Sequence, residues 1–376
     1  MSDRTGQYVE AEMLVGFIRD VVNQRKIVEN QPINWELLYK TADYHNVANL
    51  LYYAVLRMHQ DIPREWSSRF SQKYRNAVVF ENQYKKVVDA VLWNCRRQGI
   101  HVMVLEDYIY WDYYPMPEMR PAMGVEFLVD RGRRQEIDRM MHSMDFIPQV
   151  GEYGYSRSGL QIGFWEKLPF TDKRTAKYFG KSVRAMPREK GENYVHIFRE
   201  PTSFIFLMCC KAQRFAEEEF DIRDMLDIWL CYRSRERGSD WVAIMKRLKK
   251  LGLWDFANRM LTLAEKWFGS GWIESEQELY DDLAAFIFSK GADGRNTAMK
   301  VLPLFKRVVK YRQKQEKQKR RKMFEDWLFP DQEYMQMLYP RMGKHRLLLP
   351  LCWLRRLCRT LVQRIRQKFG RNLQKE

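Results

Sequence analysis

Gly99-Ile-His101-Val-Met-Val104-Leu105-Glu106-Asp107 and, further on, Val125-Glu126-Phe127-Leu128-Val129 decide how this chain is read. The first begins with a glycine stop to a long helical pattern and continues as a short apolar run with a β-branched bias, which reads as a buried strand. The second alternates, with Glu126 and Leu128 on one face and Val125, Phe127 and Val129 on the other, and reads as a second strand. Between them Tyr108 to Tyr114 has room for one or two helical turns, closed by Pro115 and Pro117. Beyond them Arg131 to Met144 reads as a helix and Phe146 as the start of a further strand region. Tyr153–Ser158 and Leu160–Trp165 read as a hairpin turning at Ser158-Gly159, and Tyr194–Phe198 as a last strand. These elements make a small mixed-sheet α+β core.

Outward from this core the hydrophobic period changes to that of helices. On the amino-terminal side Leu14, Phe17, Ile18 and Val21 share one face. Trp35, Leu38, Ala42 and His45 open a second helix that runs on through Leu50, Leu51 and Val55. Pro63 opens a long third one striped by Val78, Val79, Tyr84, Val88, Val91 and Leu92. On the carboxy-terminal side helices are expected over Phe204–Phe215, Asp221–Tyr232, Asp240–Leu251, Trp254–Trp267 and Glu276–Phe288, with Pro201 in the first turn of the first. Gly291 to Asn296 is the clearest linker. The expected divisions are therefore a helical region over 1–98, the α+β core over 99–200, a second helical region over 201–295, and a tail over 296–376.

Composition removes several function classes. The opening residues lack the basic-then-apolar form of a signal peptide, and no run approaches the ~18 apolar residues of a membrane-spanning helix, so a cytoplasmic protein is expected. The six cysteines, at 95, 209, 210, 231, 352 and 358, form no Cys-x-x-Cys pair, and the six histidines are scattered. Reduced buried thiols are the expectation, with no metal held by Cys or His. There is no phosphate-binding Gly-rich loop. Gly154-Tyr-Ser156-Arg-Ser158-Gly159 sits in a hairpin, not in the strand-to-helix turn that a nucleophilic serine needs.

With these classes removed, the stretch from Gly99 to Val129 resembles the uncharacterised nucleotidyltransferase family of bacterial cytoplasmic proteins, a branch of the polymerase-beta-like superfamily. The family pattern is a strand ending in Leu-Lys-Gly, a short helix ending near Tyr-Pro, then Arg-x-x-x-Asp-Ile-Asp-Leu-Leu-Val. Here stand Val104-Leu105-Glu106-Asp107, then Tyr113-Tyr114-Pro115, then Arg120 through Gly124-Val-Glu126-Phe-Leu-Val129, at the same spacing. Trp35-x-x-Leu38 through Leu50-Leu51 resembles the family's amino-terminal signature. Phe220-Asp221-Ile222-Arg223-Asp224-x-x-Asp227 resembles a later helical segment, with Arg223 and Asp227 expected to be partly buried against the core. Leu328-Phe329-Pro330 through Tyr339-Pro340 resembles a carboxy-terminal one.

The resemblance implies transfer of a nucleoside monophosphate from a nucleoside triphosphate to an acceptor, with Mg²⁺ held by carboxylates two apart on one strand face. This chain departs from that chemistry. Gly124 has no ligand atom, and only Glu126 remains to hold metal. The third carboxylate is missing among Gln161, Ile162 and Gly163, and Glu106-Asp107 replaces Lys-Gly. One glutamate with water is a poor octahedral cage for magnesium. The resemblance assigns Glu106, Asp107, Arg120 and Gly124 to the nucleotide; Glu126 with Asp107 would be catalytic, using Mg²⁺, only if a site has been rebuilt around them. Three readings stay open: a catalytically degenerate nucleotide- or partner-binding module, an active Mg²⁺-dependent transferase, and a structural interaction protein built on the helical flanks. Without activity, no cofactor is expected.

Charge adds a location. Lys plus Arg number 65 against 48 Asp plus Glu, a net +17, yet residues 300–376 hold 22 basic and 6 acidic residues. A nearly neutral body thus carries a cationic tail. From Pro350, Leu351, Leu354, Leu357, Leu361, Ile365 and Phe369 form one stripe beside Trp353, Arg355, Arg356, Arg359, Arg364 and Arg366. That is the composition of an interfacial helix on an anionic membrane, here the inner face. Nucleic acid is the weaker partner, since aromatics do not alternate with the basic residues.

Overall fold

The computed structural model describes residues 9–29, 32–59, 61–105, 107–121, 124–149, 154–234, 240–269, 283–288 and 350. The chain divides into a unit of residues 1–306, which holds every element below, and one of 307–376. The tail readings (Trp353 through Phe369, and the motifs at 328–340) lie outside the described residues.

Four helices precede the sheet: α1 (Val9–Val22), α2 (Trp35–Tyr44), α3 (Ala48–Val55) and α4 (Arg64–Gln98). The sequence pattern runs α2 into α3 as one helix. Instead the chain breaks at Asn46, whose φ of 56° is left-handed, and the His45 N–H closes on Thr41. Asparagine tolerates that conformation better than most residues because its short side chain can bond locally. Helix α4 ends as expected at Gly99, with φ 65° and its N–H bonded back to Arg96.

The sheet follows: β1 (Val102–Val104), β2 (Val125–Val129), β3 (Ile147–Pro148), β4 (Gly154–Arg157), β5 (Leu160–Trp165) and β6 (Val195–His196), in the order β3-β4-β5-β2-β1-β6. Strand β2 pairs antiparallel with β1 and parallel with β5, so the sheet is mixed. Ser158 and Gly159, both at positive φ, turn the β4–β5 hairpin, as their sequence demands. Helices α5 (Asp107–Tyr110), α6 (Arg134–Ser143) and α7 (Lys173–Tyr178) lie within this region. Helix α7 has no counterpart in the sequence reading. Asp172 caps it, accepting from the N–H groups of Arg174 and Thr175, but six residues are too few to show an apolar period.

One sheet face is dry. Val125, Phe127 and Val129 of β2 and Leu160, Ile162 and Phe164 of β5 pack against Tyr84, Val87, Val88, Val91 and Cys95 of α4, and against Ile137, Met140 and Met141 of α6. Each such side chain contributes roughly 1.5–3 kcal/mol by leaving water. Val79, expected in the α4 stripe, is instead half exposed, and Ala77 and Val87 take the buried positions. Period two then forces residues 124, 126, 161, 163 and 165 to the other face.

That second face looks toward the helices α8 (Thr202–Ala216) and α9 (Ile222–Arg233), which with α10 (Trp241–Leu251) and α11 (Trp254–Phe268) complete the described body. Pro201 precedes the first turn of α8 rather than lying in it. Of the expected helix over Glu276–Phe288, residues 283–288 are described and helical. Cys95, Cys209, Cys210 and Cys231 are all buried. Among the described residues no helix is long and apolar enough to cross a membrane.

Candidate nucleotide site

The parallel pairing of β2 with β5 sets Glu126 beside Gly163 and Val125 beside Ile162. A side chain at Gly124 would begin 3.4 Å from the Gln161 carbonyl oxygen. One at Gly163 would begin 3.4 Å from Cγ of Glu126 and 3.7 Å from its Oε1. Positions 124, 126, 161 and 163 therefore share one patch of sheet, where three carboxylates two apart and on the next strand would converge. Only Glu126 carries one. Neither glycine sits at positive φ, and both admit a Cβ at ordinary contact distance, so the backbone does not require glycine at either place.

This patch forms the sheet side of a cavity of about 350 Å³. Gly124, Glu126, Gln161 and Gly163 line it together with Gln149, Tyr155 and Asn46. The helical side brings Lys211 and Arg214 from α8 and Arg223 and Asp224 from α9.

Behind that helical side lies a buried ionic knot. Asp221 caps α9 by accepting from the Asp224 N–H at 2.9 Å, while Asp224 accepts from the Asp221 N–H at 3.1 Å, a reciprocal capping box. Lys211 Nζ lies 2.7 Å from a carboxylate oxygen of Asp224 and 2.7 Å from one of Asp227. Arg214 Nε donates to Asp224 at 3.0 Å. Arg120 grips Asp227 with two parallel bonds, Nε at 2.8 Å and Nη2 at 2.9 Å, and the Tyr114 hydroxyl adds a third at 2.8 Å. Asn46 Nδ2 donates to Asp221 at 3.2 Å, tying the α2–α3 break to the same knot.

Burial pushes the Asp227 carboxyl up, but Arg120 and Lys211 outweigh it and hold the group well below the usual carboxylate range. Asp224 is held down in the same way, burial being overcome by Lys211 and Arg214. Asp221, farther from these cations, goes the other way, raised by burial and then by the Asp224 charge.

The site residues expected from sequence divide accordingly. Gly124 and Glu126 line the cavity together. Arg120 does not: its side chain is wholly buried, and its charge faces Asp227. Asp107 opens α5, but its side chain and all of Glu106 lie outside the described residues. Arg223 and Asp227 are both buried, as expected of them, yet the ion partners of Asp227 are Arg120 and Lys211 from other segments. Lys211 and Arg214 escaped the sequence reading. Lys211 closes the run Phe204-Ile-Phe-Leu-Met-Cys-Cys, and a charge set directly after seven apolar residues of a helix signals a buried partner of opposite sign.

Among the described residues no group of three or more His, Cys, Asp or Glu is placed to hold a metal ion. Because Gly124 leaves room for a side chain, Gly124→Asp with Glu126→Asp should tighten Mn²⁺ binding on the order of tenfold or more, by adding a second hard oxygen ligand on the same face. Calorimetric titration with MnCl₂ reads this directly. An affinity unchanged from wild type would mean that residues 124 and 126 do not converge on one ion.

No curated protein and no solved structure matches the chain. A family model described as an uncharacterised nucleotidyltransferase matches residues 31–269, a span that includes the sheet, the cavity and the ionic knot. That is well over half of the sequence, and the chain belongs to this nucleotidyltransferase family.

Proposed function

We propose that this member of the family is catalytically degenerate and serves as a nucleotide- or partner-binding module at the cytoplasmic face of the membrane. The observation that carries the reading is the cavity's sheet side: of positions 124, 126, 161 and 163, three are Gly, Gln and Gly, and one is Glu. Two-metal phosphoryl transfer needs ions that bridge attacking and leaving oxygens, and one carboxylate does not fix them. The volume of the cavity suits a ligand of nucleotide size. The cationic tail and its apolar stripe, read from sequence, supply the membrane half of the proposal.

Calorimetric titration with each of the four nucleoside triphosphates, with and without Mg²⁺, tests the binding half. Saturable heat at one site is expected with at least one of them. No heat with any, in either condition, would remove nucleotide as the ligand.

A further inference from the structure

Helix α10 carries a surface that neither the cavity nor the ionic knot uses. Its sequence, Trp241-Val-Ala-Ile-Met-Lys246-Arg247-Leu-Lys249-Lys250-Leu251, continues as Gly252-Leu-Trp254, and no acidic residue occurs between Asp240 and Asp255. We propose that the outward face of α10, with the aromatic rings at its two ends, is a second contact for an anionic bilayer, built into the folded body. The proposal deepens the membrane half of the proposed function and rests on it for the class of partner.

The helical period divides α10 into two sides. Ile244, Leu248 and Leu251 are buried. Val242, Lys246 and Lys249 recur four and three residues apart on the opposite side, with Lys250 next to them. All four are exposed, Val242 by 75%. Lys249 and Lys250 lie in the last turn, where they complement the helix dipole, but Lys246 and Arg247 have no such reason to be basic.

Elsewhere on the body exposed cations pair with carboxylates one turn away, as Lys40 does with Glu36 and Arg69 with Glu65. Lys246, Arg247, Lys249 and Lys250 have no ion-pair partner among the described residues. Arg174 of α7 adds a fifth cation, its Nη1 lying 3.2 Å from where a side chain at Gly252 would begin. The nearest carboxylates in sequence do not cancel this charge. Across residues 172–177 and 240–255, seven cations stand against Asp172, Asp240 and Asp255. Two of those three already accept backbone N–H groups as helix caps.

The rings favour lipid over nucleic acid. Trp241 and Trp254 meet edge to face with centroids 6.4 Å apart, and Tyr232 meets Trp241 in the same way at 5.8 Å. Lys249 Nζ lies over the Trp254 ring, 5.8 Å from its centroid. Rings engaged in this way are poor platforms for stacking bases. Tryptophan and tyrosine beside lysines, with an exposed valine among them, are instead the groups that sit at the headgroup level of an anionic bilayer.

The test reads α10 itself, so that the tail cannot answer for it. In the full-length chain Cys352 and Cys358 are replaced by serine, and the other four thiols are buried. Val242→Cys is then labelled with an environment-sensitive fluorophore. The protein is mixed with vesicles of phosphatidylcholine alone, or of equal parts phosphatidylcholine and phosphatidylserine, each with and without a lipid carrying a nitroxide on its acyl chain.

Nitroxide quenching is expected on the anionic vesicles and not on the neutral ones, and it should persist at saturating lipid when Arg355→Glu and Arg359→Glu are added. Lys246→Gln with Lys249→Gln should weaken the binding seen by this probe roughly thirtyfold, since each basic residue near the surface contributes about 1 kcal/mol. Protein that sediments with anionic vesicles while the probe stays unquenched would overturn the α10 contact and leave that of the tail standing. Quenching undiminished by the tail reversals would keep α10 and remove the tail. No sedimentation of any variant would remove both. A single-stranded oligonucleotide bound by the protein and released by Lys246→Gln with Lys249→Gln, without quenching on vesicles, would overturn the lipid partner in favour of nucleic acid.

Discussion

Asp227→Ala is expected to destabilise the protein by about 3–5 kcal/mol, the cost of stranding buried charge. Its carboxylate is the shared acceptor of Arg120, Lys211 and Tyr114, and the Arg120 and Lys211 side chains are 0% and 2% exposed. Truncation leaves two cations in the interior with one counter-charge fewer, Arg120 wholly shut from water and Lys211 nearly so. For a body of this size the melting temperature should fall on the order of 10 °C. Glu65→Ala is the matched control. Glu65 pairs with Arg69 one helical turn away, at 61% and 49% exposure, and its loss should stay within about 0.5 kcal/mol. Equal small shifts in the two variants would mean that the knot is solvated.

The same knot sets an acid limit. Asp227 and Asp224 titrate below their ordinary value near 3.8 in the folded chain, so the unfolded state binds protons first as the pH falls. Their contribution is complete above that value and is lost as the pH drops through the folded values. Asp221, raised by burial and by Asp224, has the opposite sign: its share is lost as the pH rises through its folded value.

The second large effect concerns the tail. Arg355→Glu with Arg359→Glu should reduce binding to vesicles rich in anionic lipid by roughly a thousandfold at low salt. Each basic residue near such a surface contributes about 1 kcal/mol, and two reversals change the charge by four, about 4 kcal/mol in all. Leu361→Asp should also release the protein, through the apolar stripe rather than through charge. High salt should weaken the wild type without abolishing its binding, because apolar insertion is not screened. A wild-type protein that floats free of anionic vesicles at low salt would contradict the membrane reading. Loss of fold stability on removing residues 344–376 would then place the stripe on the protein's own body.

The sheet was legible in sequence because its rules are local. Val125 to Val129 alternates, Ser158-Gly159 turns, and Gly99 stops a helix, each for reasons contained within a few residues. That same alternation placed position 124 beside Glu126 on the face that lines the cavity. The ionic knot was not legible, because its pairings are set by packing. Arg120 meets Asp227 107 residues away, and Lys211 is met by both Asp224 and Asp227 from a different helix. Family spacing drew attention to Arg120 as a nucleotide contact, whereas burial commits it to the interior. Two of the three cations that line the cavity, Lys211 and Arg214, sit on a helix whose apolar composition reads only as core.

The most direct test of lost catalysis is transfer itself. Full-length protein is incubated with each α-labelled nucleoside triphosphate, Mg²⁺ or Mn²⁺, and a native host lysate as the source of acceptors. With Gly124, Gln161 and Gly163 in place of a carboxylate set, no label above background should appear on protein, nucleic acid or small molecule. Labelling by the wild type that Glu126→Gln abolishes would contradict degeneracy and show that the remaining carboxylate works in a functional transferase.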